Sequence, residues 1–255
     1  MKKLNYLIIA ITISFTSCDY FQYDNYDEPD SGVKGILKDK TTSEDFTTEA
    51  GMSYKFDYYE LSWAENHTNT QSEYFWGKAD ASFVNTKIFA GKYQITFKEG
   101  FFYQPPSQTI VLSKGSMKDL GTILVVPYAR VKFDTLYVGA SKTNIVIKYT
   151  VSDTEKEYDD NKVNITESKY NLLEAHIFIS SKSPVIGVNN TESDLTLNSV
   201  KDISTYTVGI PTSYTDTKVK GLIPGASYWV RIGVLTSNPQ KRYVLSTVKQ
   251  ITIPK

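Results

Sequence analysis

The chain has 255 residues, with 28 Lys and Arg against 28 Asp and Glu, two His, one Cys, 19 Tyr and 12 Phe. A net charge of zero gives no excess of cations to neutralise phosphates, so nucleic acid is not an expected partner. One Cys cannot form an internal disulfide or a thiolate metal site, and two His leave little for a His-ligated metal or a His relay, so neither metal nor cofactor is expected.

Met1-Lys2-Lys3 opens the chain, residues 4–15 are mainly apolar, and Thr16-Ser17-Cys18 follows. About a dozen such residues fall short of the roughly twenty that span a bilayer, and suit the core of a signal peptide. The lone Cys directly after small residues has the layout of a bacterial lipoprotein signal, in which residues 1–17 are removed and Cys18 is lipidated. A plain secretory signal is the blander alternative. Residues 18–30, acidic and tyrosyl without apolar periodicity, read as a tether that holds the first domain off a lipid surface. Acidic residues just after the Cys resemble the export signal of surface lipoproteins in Bacteroidetes-type bacteria. That resemblance implies an outer-membrane protein, lipid-anchored and facing the cell exterior.

From Ser31 onward no window sustains helical apolar spacing. Short β-branched and aromatic runs bounded by Gly, Pro, Asn, Asp and Ser predict strands over 33–37, 55–61, 82–85, 93–98, 108–112 and 121–126. In the second half the same pattern predicts strands over 131–137, 144–151, 175–180, 205–210, 227–234 and 242–253, with 172–177 open to one helical turn. Strands at this spacing predict an all-β fold of two tandem β-sandwich domains, 31–127 and 128–255, divided near Pro127. Charge changes at the same place: residues 19–127 hold 10 Lys and Arg against 16 Asp and Glu, and 128–255 hold 16 against 12.

Gly32-Val33-Lys34-Gly35-Ile36-Leu37-Lys38-Asp39, then Ala79-Asp80-Ala81-Ser82-Phe83, then Ile88-Phe89-Ala90-Gly91-Lys92-Tyr93 resemble the carboxypeptidase regulatory-like, prealbumin-like β-sandwich. Tyr93, Ile95 and Phe97 would share one strand face. That family has a turn glycine after Asp80; here it is Ala81, which implies a different turn type. In the second half, Leu222-Ile223-Pro224-Gly225-Ala226-Ser227-Tyr228-Trp229-Val230-Arg231-Ile232-Gly233-Val234 resembles a fibronectin type III stretch. The resemblance makes Tyr228 a tyrosine corner, its hydroxyl bonded to nearby backbone. Alternation turns Tyr228, Val230, Ile232 and Val234 inward and Trp229, Arg231 and Gly233 away. Ser62-Trp63, the run from Glu73 to Asp80, the run from Phe83 to Gly91 and Val126-Pro127-Tyr128-Ala129-Arg130 are together similar to a family of two-domain Bacteroidetes lipoproteins of unknown function. Their genes lie beside SusC/SusD-type uptake pairs in polysaccharide-utilisation loci, which implies SusC/SusD-like proteins as partners.

Enzyme signatures are missing: there is no G-x-S-x-G elbow, P-loop, H-E-x-x-H or G-x-G-x-x-G. His67 sits in a polar loop, and His176 is expected as a hydrogen-bonded core or edge histidine. Asp57 with Glu60 and Glu65 with Glu73 read as rim charges rather than a glycosidase pair, and the acidic run 153–160 reads as a solvated loop. Asp159-Asp160-Asn161 lacks regular calcium-loop spacing. No catalytic residue is expected, and the chain is not expected to be an enzyme. What remains is aromatic. Trp63 and Trp76 flank a polar loop, Tyr59 would face outward beside them, and Tyr103 opens the loop Tyr103-Gln104-Pro105-Pro106-Ser107, expected to be exposed. These four are candidate glycan-binding residues, because a flat ring meets the apolar face of a sugar while amides and hydroxyls bond its rim. Alternatively both tryptophans plug sandwich ends. Two functions stay open: an accessory glycan-binding or glycan-capture lipoprotein beside a SusC/SusD-type system, and a structural spacer or protein-interaction module without a sugar site.

Overall fold

A computed structural model describes residues 27–49, 54–68, 70–154, 170–188 and 199–255. Cys18, the expected signal segment, most of the expected tether and the acidic run beyond Thr154 lie outside the described residues. Strands dominate. The first half contains β1 (Ser31–Asp39), β2 (Lys55–Glu60), the single-turn helix α1 (Leu61–Ala64), β3 (Glu73–Trp76), β4 (Ser82–Ile88), β5 (Gly91–Lys98), β6 (Phe102–Tyr103), β7 (Gln108–Leu112) and β8 (Met117–Pro127). The second contains β9 (Ala129–Val138), β10 (Ile145–Asp153), β11 (Leu172–Ser180), β12 (Ser199–Asp202), β13 (Thr212–Asp216), β14 (Ser227–Thr236), β15 (Tyr243–Leu245) and β16 (Lys249–Thr252). The sheets run β4-β1-β8-β6, β3-β2-β5-β7, β13-β10-β9 and β12-β11-β14-β15, with β16 also paired to β14. The fold is all-β with sandwich-like packing, and among the described residues no sheet mixes strands from before and after Tyr128.

Alternation builds the cores. Tyr93, Ile95 and Phe97 of β5 are buried, and Phe97 meets Phe56 of β2 edge-on at 5.1 Å, while Phe56 stacks on Phe75 of β3 at 4.6 Å. In the second half Tyr228, Val230, Ile232 and Val234 are likewise buried. The Tyr228 hydroxyl accepts the Ile223 N–H at 3.1 Å, the local bond that a tyrosine corner requires. Beyond the added short strands β3, β6 and β12 and a strand that already begins at Leu172, three details differ from the sequence reading. Residues 205–210 form a turn, with Gly209 at φ 77°, and the strand starts only after Pro211. The run 242–253 divides into β15 and β16 at Ser246, whose buried hydroxyl accepts the Ile232 N–H. Ala81 adopts φ 71°, the left-handed conformation a glycine would favour. Its carbonyl accepts from both Leu37 N–H and the Tyr54 hydroxyl, which hold the alanine in place.

β1 pairs with β8 in parallel, Gly32 opposite Met117 and Asp39 opposite Val125. The start of β1 therefore lies at the pole away from Pro127, and its end lies at the junction with the second half. Polar contacts at that junction are dense. Arg130 grips Asp39 with two bonds of 2.6 and 2.8 Å, and the buried Thr154 hydroxyl donates to Pro127 O. Arg231, read from alternation as pointing away from its own core, is only 1% exposed because the first half covers it. Its guanidinium donates to Thr48 O and Ser246 O at 2.8 Å, to Ile186 O and Thr47 O at 3.1 Å, and to the Thr47 hydroxyl at 2.8 Å. Burial lowers its pKa to about 10, partly offset by Glu49, so it is charged at neutral pH. Carbonyls from three segments lose their donor if this group is removed. Arg231→Met is therefore expected to cost about 3–5 kcal/mol in urea unfolding; a loss below about 1 kcal/mol would show that the junction does not depend on it.

Candidate functional site

The register of β2 decides which side chains can meet. Tyr58 lies opposite Glu73 of β3, and Glu60 opposite Tyr93 of β5. Residues directly opposite share a face, so Tyr58, Glu60, Glu73 and Tyr93 converge on the core side of the sheet, at its open end. After Glu60 the chain turns into α1, which carries Trp63 over that end. Ser62 fixes the turn: its hydroxyl donates to Glu60 Oε1 at 3.1 Å and accepts the Lys92 N–H at 3.0 Å. Gly91 permits this approach, since a Cβ there would stand 2.8 Å from Ser62 Oγ and 2.9 Å from Glu60 Oε1. The end of β4 supplies the opposite wall through Lys87, Ile88 and Phe89, and the Tyr93 hydroxyl donates to Phe89 O at 3.0 Å.

These elements enclose an open cleft of about 770 Å³, completed by Thr70 and Gln71 of the polar loop. Two large apolar side chains stay exposed on its walls, Trp63 at 42% and Phe89 at 48%. His67 stacks on the indole at 3.6 Å with 2° between the planes, and its Nδ1 lies 3.0 Å from Trp63 O. One indole face is thus taken and the ring is held still. Burial pushes the pKa of the Tyr93 phenol above its usual range, as does the charge of Glu60; burial and Glu73 do the same for Tyr58. Both phenols therefore keep their protons at neutral pH. Lys87 lies 3.7 Å from the Glu28 carboxylate, just before β1. The cleft thus has an aromatic wall, an amide, a hydroxyl and two carboxylates, the inventory that recognises a polyhydroxylated ring.

The four candidate residues are not gathered in one place. Trp63 lines the cleft. Trp76 lies opposite Lys55, and Tyr74 opposite Asp57, on the outer face of the same sheet, the face that alternation also gives to Tyr59. There Lys55 covers the Tyr74 ring at 4.1 Å, and Arg242 from the second half lies 5.3 Å from the Trp76 centroid while donating to Glu99 O. Trp76 is a junction residue. Tyr103, expected in an exposed loop, is 4% exposed because β6 pairs it with Val126, under Tyr128 and Tyr170. Tyr103 and Tyr128 meet edge-on at 4.9 Å, and Tyr128 and Tyr170 at 4.5 Å.

Carboxylates are also paired otherwise than sequence proximity suggested. Asp57 faces the outer side, bonded to Lys98 at 2.8 Å, whereas Glu60 and Glu73 share the cleft. His176 stacks on Phe178 at 4.2 Å, but its buried Nε2 finds no hydrogen-bond partner among the described residues; burial lowers its ionisation. Among the described residues no three His, Cys, Asp or Glu side chains converge as metal ligands do. Phe89, Gln71 and Lys87 were not singled out from sequence, and His67 was read only as part of a polar loop. The four-residue spacing of Trp63 and His67 was the available sign, because one helical turn brings such a pair together.

Solved structures share this fold. A DUF3823 family protein from Bacteroides uniformis superposes with a TM-score of 0.68 at 18% identity, covering 89% of this chain and 100% of that one. A second Bacteroides uniformis protein, named as a candidate carbohydrate binding protein, gives 0.62 at 19% identity over 88% and 99%. A DUF3823 family protein from Parabacteroides merdae gives 0.59 at 15% identity over 89% and 100%. At these identities the likeness is one of fold. No protein-family model matches the chain, and no curated protein matches it.

The Ser62–Glu60–Lys92 link is the part of the cleft most sensitive to bulk. Gly91→Ala is expected to break it at a cost of about 1 kcal/mol and to change the near-ultraviolet circular dichroism of the tryptophans as α1 shifts. An unaltered spectrum would mean that Gly91 does not set the position of Trp63.

Proposed function

We propose that the chain is a non-catalytic cell-envelope lipoprotein that binds glycan through the Trp63 cleft. In this reading Cys18 carries the lipid, the protein faces outward from the outer membrane, and the cleft captures glycan beside a SusC/SusD-type uptake system. The observation that carries the reading is the cleft itself: a fixed, half-open indole face opposite an exposed Phe89, rimmed by Gln71, Thr70, Glu60 and Glu73. The name of the second Bacteroides uniformis neighbour is in keeping with it. A catalytic reading is less well supported. Glycosidases keep one carboxyl shielded from water as the acid, whereas Glu73 is exposed and Glu60 already accepts the Ser62 hydroxyl.

The junction favours a second reading. Arg231, Arg130 and Arg242 tie the halves together with side chains that any rigid spacer would need. Affinity electrophoresis against a panel of polysaccharides separates the two. The glycan reading expects retardation by at least one polymer, reduced about tenfold in apparent affinity by Trp63→Ala and little changed by Trp76→Ala. Binding that survives Trp63→Ala would remove the cleft as the site. No retardation by any polymer, with co-purification of a SusD-like protein unaffected by either substitution, would favour the spacer.

A further inference from the structure

The cleft has a sign of charge, and this bears on which glycans it accepts. Glu60 and Glu73 come from neighbouring strands and flank Tyr58 on one face. Lys87 is the one cation lining the cleft among the described residues, and Glu28 stands 3.7 Å from it. The sheet that carries Glu60 and Glu73 holds Lys55, Lys92 and Lys98, which alternation places on its opposite face, Lys55 and Lys98 engaged by Asp57 and Glu99. Carboxylates accept hydrogen bonds and cannot donate them. A ring set against these two carboxylates must therefore bring donors, and the hydroxyls of a neutral sugar do so. A carboxylate or sulfate group on the ring replaces a hydroxyl donor with acceptors and adds a like charge.

We propose that the cleft selects uncharged glycan and rejects polyanionic glycan, with Glu60 and Glu73 as the residues that set this selectivity. The inference rests on the glycan-binding reading and narrows it to a substrate class. Because the cleft is open, the repulsion is screened, and the effect belongs at low ionic strength.

The test uses one polymer in two charge states. A neutral polysaccharide that retards the protein is oxidised at C6, turning primary alcohols into carboxylates, and both forms are compared by affinity electrophoresis at low salt. The expected result is binding at least about fivefold weaker to the oxidised form, with much of the loss recovered in Glu60→Gln/Glu73→Gln. Glu73→Gln alone, on the exposed rim, gives the same direction of change if the double variant folds poorly. Equal binding to both forms, a loss on oxidation that neither variant relieves, or a polyanion as the best ligand of the panel would overturn the selectivity. Retardation by no polymer at all would instead overturn the glycan reading beneath it, and the selectivity with it.

Discussion

A buried guanidinium organises the junction. Burying an ion is costly unless its hydrogen bonds are replaced, and Arg offers five donors in a rigid fork. Arg231 fills that fork from carbonyls of Thr47, Thr48, Ile186 and Ser246 and from the Thr47 hydroxyl. Two of those residues precede β2 and two belong to the second half. No local rearrangement within either half can satisfy the group, so charge and carbonyls are satisfied only when the halves are together. Gly233, two residues along β14, has no room for a Cβ beside Phe178, Leu245 and Tyr243, which keeps the covered face flat.

This constraint fixes one end of the first sandwich and leaves the other free. The parallel pairing of β1 with β8 places the start of β1 and the junction at opposite poles. The cleft lies with the start of β1, where Ser31 pairs with Ile88 and Glu28 approaches Lys87. A site at the free pole needs its own rigidity, and it has local sources: the Ser62 link, the His67 stack and the Tyr93 bond to Phe89 O. The tyrosine excess is divided accordingly. Tyr103, Tyr128 and Tyr170 form the apolar part of the junction, Tyr149 and Tyr228 fill the second core, and Tyr58 and Tyr93 floor the cleft.

What was legible in the sequence was local. Strand alternation identified the inward sets of β5 and β14, and a hydroxyl reaching back five residues made the Tyr228 corner readable. The long-range contacts were not readable. Alternation correctly turned Arg231 away from its own core, but nothing in β14 tells that Thr47, 184 positions earlier, covers it. Trp63 and Trp76 flank one loop, so adjacency in sequence suggested a shared site. A helical turn resets the direction of Trp63, while strand parity sends Trp76 to the outer face beside Arg242. The two prolines after Tyr103 suggested an exposed loop, yet two residues of β6 suffice to bury the ring. Ala81 shows the same limit in the backbone: surrounding hydrogen bonds hold an alanine where propensity asks for glycine.

Acidic and basic halves under a neutral total acquire meaning from these placements, since the cations that matter most serve the junction and the carboxylates that matter most line the cleft. The most direct measurement is a crystal structure of the protein soaked with an oligosaccharide from a polymer that retards it. A sugar ring against the open face of Trp63, with hydroxyls donating to Glu60 or Glu73, is the expected result. A ring seated instead on the outer face by Tyr74 and Trp76, or at the junction beside Arg130, would contradict the account.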